Sequence, residues 1–119
     1  MIARSLAVAT CVAALALLLV VPAAPAATGA TKATTITVTM KEFKFTLSKS
    51  SAPAGAVLFK ITNKGAVPHD FKIAGKKSAT IAAGKTGVLT VVLKKGNQAY
   101  LCTVPGHAAA GMKGSIKVS

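Results

Sequence analysis

A chain of 119 residues holds one domain at most, and its charge is strongly one-sided: 15 lysine and arginine residues against two acidic ones give a net charge of +13. Arg4 is the single arginine, and no aromatic residues interleave the lysines at positions expected to be exposed, so specific nucleic-acid binding is not expected. The two acidic residues supply neither paired carboxylates nor a serine–histidine–acid set, so an enzyme is not expected either.

Residues 1–27 have the layout of a secretory signal. Arg4 gives a short positive start, an apolar run extends from Leu6 to Val21, and small residues with a plausible cleavage site at Ala24-x-Ala26 follow. The apolar run is about 16 residues and a membrane span needs roughly 20, so a cleaved signal helix is favoured over a retained membrane anchor. The protein is therefore expected to be exported, to the periplasm or to the extracellular face of the membrane.

Residues 28–34 are small and polar and predict a short tether, and residues 35–119 predict a single all-β domain. Alternation or β-branched runs predict strands at 35–40, 43–47, 57–63, 67–73, 88–93, 98–102 and 115–118. Pro68 interrupts the fourth of these, which indicates a strand end or a sheet edge. Seven or so short strands, with turn signals roughly every 8–12 residues, predict a β-sandwich. The four phenylalanines are expected in its core: Phe43, Phe45, Phe59 and Phe71.

The loop from Cys102 to Met112 carries the chemistry. Cys102, His107 and Met112 are separated by four residues each, and His69 is the only other histidine of the chain. One thiolate, two imidazoles and one weak thioether form the ligand set of an electron-transfer copper site, whereas a structural zinc site contains no thioether. The four expected metal ligands are therefore His69, Cys102, His107 and Met112.

Each of these residues alone has a more ordinary explanation. A single histidine or methionine in a β-sandwich is more often a surface or packing residue than a ligand. Once residues 1–27 are removed, Cys102 is the only cysteine and has no internal disulfide partner, which leaves metal ligation, an intermolecular disulfide or a free thiol. The combination at this spacing, with His69 on a separate strand, favours the metal site.

Three segments carry a family resemblance. Tyr100-x-Cys102 with His107 and Met112, Asn63-x-Gly65 before His69, and Met40-Lys41-Glu42-Phe43-x-Phe45 resemble the cupredoxins, the small type 1 (blue) copper proteins. The ligand loop is more similar to those of rusticyanin and auracyanin than to that of plastocyanin. The resemblance spans roughly residues 34–119. It implies a Greek-key sandwich and one copper ion that alternates between Cu(I) and Cu(II), with Met112 as the long axial ligand and the other three residues equatorial.

The sequence departs from the family at Asp70, since many members carry asparagine directly after the first histidine ligand. By analogy, this side chain is expected to tie the His69 segment to the ligand loop, through Thr103. An anionic Asp70 near the ion would favour Cu(II) and lower the reduction potential. The alternative is a solvated carboxylate without such a role.

The function expected from these residues is single-electron transfer between redox partners by an exported, monomeric protein. The alternative is a copper-binding carrier or storage protein, although such proteins are often rich in methionine and histidine. His107 lies in an apolar stretch, 104–110, which is expected to be the electron port. Without Arg4 the net charge is +12. This charge either steers docking to acidic redox partners or keeps the protein soluble or loosely bound to an anionic membrane or cell wall.

Overall fold

The computed structural model describes residues 33–119, so the predicted leader at 1–27 and most of the tether at 28–34 lie outside the described residues. None of the described residues forms a helix with the length and apolar character needed to cross a membrane. The strands are β1 (Thr34–Lys41), β2 (Lys44–Leu47), β3 (Ser51–Ala52), β4 (Gly55–Asn63), β5 (Lys72–Ile73), β6 (Lys76–Lys77), β7 (Thr86–Leu93), β8 (Gly96–Leu101) and β9 (Lys113–Val118).

These strands form two sheets, with the orders β2-β1-β4-β7 and β3-β9-β8-β5-β6. The chain crosses repeatedly between them, since β3, β5, β6, β8 and β9 lie in one sheet and the intervening strands in the other. β1 runs parallel to β4 and β3 parallel to β9, whereas the other pairs are antiparallel. The prediction of an all-β sandwich is confirmed, with two more strands than the seven expected.

The core lies between the inner faces of the two sheets. The alternation predicted for the first strand is confirmed, because Ile36, Val38 and Met40 are all fully buried. Phe59 and Phe71 are also fully buried and lie with ring centroids 4.9 Å apart, which joins the strand β4 to the segment that precedes β5. Burying such side chains between the sheets is the main stabilising contribution of a sandwich this small.

Phe43 is not a core residue, and this prediction is wrong. The chain turns between β1 and β2, at Glu42 and Phe43, so the alternation changes phase where a bend was expected. As a result Phe45 is buried, whereas Phe43 is 44% exposed. The Phe43 ring instead meets the ring of His107 edge-on, with centroids 5.1 Å apart.

The strand predicted over residues 67–73 is also largely absent. Only Lys72 and Ile73 form a strand, and His69 makes an isolated bridge with Ile81. Pro68 has no N–H to donate to a ladder, and the side-chain amide of Asn63 donates to the carbonyls of Val67 and Ile81, at 2.9 and 2.8 Å. A side chain therefore takes over the role that a neighbouring strand would have in this segment.

Candidate metal centre

Cys102 follows directly after β8 and is 1% exposed, so the strand delivers the thiol to the end of the sandwich. Its N–H donates to the carbonyl of Met112 at 3.1 Å, and the N–H of Met112 donates to the carbonyl of His107, also at 3.1 Å. The loop is therefore closed by its own main chain. These bonds place Cys102, His107 and Met112 around one end of the fold, and Met112 is fully buried there.

His69 reaches the same end of the sandwich from a separate part of the chain. Its backbone exchanges two hydrogen bonds with Ile81, of 3.1 and 2.8 Å, and its side chain is fully buried. The fixed main chain at residue 69 leaves the imidazole little freedom to move away from the loop. The histidine expected to join the loop from a separate part of the chain is thus placed beside it.

The donor atoms of His69, Cys102 and His107 all lie within 4.8 Å of one another. The two Nδ1 atoms are 3.0 Å apart, and Cys102 Sγ lies 3.6 Å from His107 Nδ1. On a tetrahedral ion with bonds of ~2.0 Å to nitrogen and ~2.3 Å to sulfur, two nitrogens lie roughly 3.3 Å apart and a nitrogen and a sulfur roughly 3.5 Å. These two separations are close to those expected for one shared ion, and the soft sulfur with two imidazoles fits copper in either oxidation state.

The burial of Cys102 affects the protonation of its thiol. Desolvation raises the pKa of Cys102 above its ordinary value. Without a metal the thiol is therefore protonated at neutral pH, and an ion that binds it must displace that proton. The buried thiolate is therefore stable in this site only when a bound cation compensates its negative charge.

Asp70 makes the contact expected of it. This side chain is 2% exposed, and its Oδ1 accepts a hydrogen bond from the N–H of Thr103 at 2.6 Å, while Oδ2 accepts one from the Thr103 hydroxyl. Asp70 therefore joins the segment of His69 to the residue after Cys102, and it is not a solvated carboxylate. The two halves of the donor set are held together by this pair of bonds.

Glu42 also lies beside the site, although no pattern in the sequence predicts it there. Its Oε1 lies 3.2 Å from His69 Nε2 and accepts hydrogen bonds from the N–H groups of Ala66 and Val67 at 2.7 and 3.0 Å. Hydrogen bonds from its own N–H and from that of Val67 are the main causes that lower the pKa of Glu42 to about 2. The contact was not visible in the sequence because 27 residues separate Glu42 from His69.

The surface over the site is apolar. His107 is half-buried, whereas Pro105, Ala109 and Ala110 in the same loop are exposed. The exposed ring of Phe43 extends this surface on the other side of His107. A partner that approaches here meets no charged side chain of the loop between residues 103 and 112.

Comparison with known proteins agrees with this geometry. The family model of the cupredoxin-like domain matches residues 10–116 of this chain. A blue copper protein from Pisum sativum is 42% identical over 66 residues, which cover 49% of this chain and 35% of the relative, so the match spans about a third of the relative's length.

Solved structures share the fold. Dithionite-reduced auracyanin from Roseiflexus castenholzii superposes with a TM-score of 0.65 at 21% identity, over 73% of this chain and 98% of that one. An azurin from Methylomonas sp. strain J superposes with a TM-score of 0.61 at 16% identity, over 72% and 98% of the two chains. Since the match to the cupredoxin-like domain covers nearly the whole sequence, this chain belongs to the cupredoxin family.

Proposed function

We propose that the protein is a type 1 copper protein that transfers single electrons between redox partners. The observation that carries this proposal is the convergence of His69, Cys102 and His107, whose donor atoms lie within 4.8 Å of one another at one end of the sandwich. Met112 is proposed as the weak fourth ligand, because it closes the same loop and is fully buried. The blue copper relative from pea supports copper as the ion.

The chain's part in electron transfer is to hold the donors still. Copper held by these residues would supply the one-electron change between Cu(I) and Cu(II). The main-chain bonds from Cys102 to Met112 and from Met112 to His107 keep the loop donors in place, and the bridge to Ile81 fixes His69. Donors that cannot move require little rearrangement when the charge on the ion changes. Four protein ligands would leave no open position for a substrate, so the proposal is an electron carrier that does not turn over a substrate.

Copper delivery or storage is less well supported by the same geometry. A carrier has to release its ion, whereas His69, Cys102 and Met112 are each at most 1% exposed. Release would also have to open the main-chain bonds that close the loop.

The cellular setting is proposed from the sequence together with the family. Residues 1–27 act as an export signal or anchor, residues 28–34 as a tether, and residues 35–119 as the copper domain at the periplasmic or extracellular face of the membrane. Redox partners with acidic docking surfaces fit the net charge of +12 that the chain has without Arg4, which predicts association that slows as salt is added.

The half-buried edge of His107 is the proposed route of the electron. Val104→Lys or Ala108→Lys would place a charge beside His107, on a surface that must be desolvated on contact. We expect electron self-exchange between Cu(I) and Cu(II) copies, measured by NMR line broadening, to slow roughly tenfold while the visible spectrum stays unchanged.

The matched control for the port is Val88→Lys. Val88 is 67% exposed on β7, in the sheet that does not deliver Cys102, and the variant adds the same charge. If self-exchange slows as much in this control as in Val104→Lys, the effect is a general one of charge, and the proposal that electrons pass at the edge of His107 is contradicted.

The proposed function is tested by titrating the purified, metal-free protein with Cu(II). We expect saturation at one ion per chain, an intense visible band from the copper–thiolate bond, and a reversible one-electron wave in voltammetry. A protein that remains colourless with Cu(II) bound, or that shows no reversible wave, would contradict the proposal.

A further inference from the structure

Glu42 is an acidic side chain that lies against His69, one of the proposed copper ligands. It follows β1 and has 29% of its side chain exposed. Its Oε1 is nevertheless shared by three donors, the N–H groups of Ala66 and Val67 and Nε2 of His69. The protein is basic, so many lysines could pair with this carboxylate. Because Glu42 instead turns toward the buried side chain of His69, specific contacts must hold it there.

The segment that receives the carboxylate is shaped for it. Asn63 is fully buried, accepts a hydrogen bond from the N–H of Gly65 at 2.9 Å, and donates to the carbonyl of Val67. A Cβ at residue 65 would clash with the carboxylate of Glu42, which lies directly against this glycine. The turn 63–67 therefore presents two N–H groups to Glu42 at a distance that only a glycine at 65 permits.

The contact decides which nitrogen of His69 carries the proton. A carboxylate 3.2 Å from Nε2 requires a proton on Nε2, since two acceptors would otherwise face each other. Nδ1 is then left with a lone pair, directed toward Nδ1 of His107 at 3.0 Å. This is the tautomer in which His69 can bind an ion through Nδ1.

We infer that Glu42 is a positioning residue for His69: it fixes the tautomer and the ring plane that turn Nδ1 toward the ion, and its charge, acting through the ring, favours Cu(II) over Cu(I). The inference rests on the proposed copper site. A carboxylate hydrogen-bonded to the far nitrogen makes an imidazole a more basic ligand, and the more highly charged ion gains more from this. Glu42 thus holds the protein toward a lower reduction potential.

The charge is tested with Glu42→Gln, whose side-chain oxygen can still accept the same three hydrogen bonds. We expect the ratio of Cu(II) to Cu(I) affinity to fall about tenfold, which raises the reduction potential by about 59 mV. Asn97→Lys is the matched control, because it changes the net charge by the same amount near the start of β8, roughly 17 Å along the strand from Cys102, beyond the screening length. A shift in Glu42→Gln no larger than in Asn97→Lys would overturn the electrostatic part.

The orientation is tested without copper. Nitrogen chemical shifts of the His69 ring in the metal-free protein should show the proton on Nε2, and Glu42→Leu should give a mixture of tautomers. Gly65→Ala keeps the charge but displaces the carboxylate, and it should weaken copper binding about tenfold. An unchanged tautomer in Glu42→Leu, or unchanged copper binding in Gly65→Ala, would overturn the positioning role.

These outcomes are separate from the fate of the proposed function. If the wild type gives no copper–thiolate band, the proposed function fails, whereas the ring shifts of the metal-free protein still decide whether Glu42 fixes the His69 tautomer. If the wild type is blue and Glu42→Gln matches the Asn97→Lys control, the electron carrier stands and the inference on the charge of Glu42 falls.

Discussion

Cys102→Ser is expected to abolish the intense visible band of the copper-loaded protein and to weaken Cu(II) binding by at least about 100-fold. The hydroxyl of serine does not ionise near neutral pH, so the proposed site would lose both its anionic ligand and the soft sulfur expected to give the band. Because Cys102 is 1% exposed and serine is of similar size, the metal-free variant should keep its circular dichroism spectrum and lose only about 1–2 kcal/mol of stability. Absorption and competition titrations measure the effect.

Proton release gives an independent check on the same residue. Burial raises the pKa of the Cys102 thiol, so the metal-free protein carries this proton at neutral pH and copper must expel it. Calorimetry in two buffers of different ionisation enthalpy should show about one proton released from the wild type and none from Cys102→Ser. A variant that stays blue, or a wild type that releases no proton, would mean that Cys102 is not the ligand.

Asp70→Ala is expected to lower the stability of the metal-free protein substantially, although Asp70 is not part of the hydrophobic core. Asp70 is 2% exposed and accepts two hydrogen bonds from Thr103, so its removal leaves the Thr103 donors without an acceptor. Hydrogen bonds to a charged group contribute about 1.5–3 kcal/mol each, and we expect a loss of roughly 3 kcal/mol. For a domain of this size that corresponds to a fall in the melting temperature of roughly 12–24 °C, measured by calorimetry of the metal-free protein.

Asp70→Asn separates the tie from the charge. The asparagine oxygen can still accept from the N–H of Thr103, so the loss of stability should be only about 1 kcal/mol. Removing the negative charge should raise the reduction potential, because Cu(II) loses more from it than Cu(I) does. A potential that does not move would eliminate the electrostatic role of Asp70 and leave only the structural tie to Thr103.

The sequence was sufficient to predict the β-sandwich and the convergence of His69, Cys102 and His107 at one end of it. The alternation of β1 and the β-branched runs of β4 and β7 are local signals. The structure keeps the strands that such local patterns predict. The convergence of His69 with Cys102 and His107 was also predicted, because only a few residue types in the chain could bind a soft ion. The tie from Asp70 to Thr103 followed from the resemblance to the cupredoxins.

What the sequence did not predict depends on contacts between distant residues. The two-residue strand β3 exists only because Ser51 and Ala52 pair with Lys117 and Val118, far along the chain. The side chain of Asn63 replaces a strand neighbour for the segment before β5, which no periodicity reveals. Glu42 had the appearance of an ordinary strand-end carboxylate, and its contact with His69 requires the turn at Gly65 to fold over it.

The central claim is that one copper ion is shared by side chains from two separate parts of the chain. A crystal structure of the Cu(II)-loaded protein tests it most directly. The account predicts a single copper ion bonded to Nδ1 of His69, Nδ1 of His107 and Sγ of Cys102, with the sulfur of Met112 at a longer distance. Copper bound elsewhere, or bound without Cys102 or without His69, would contradict it.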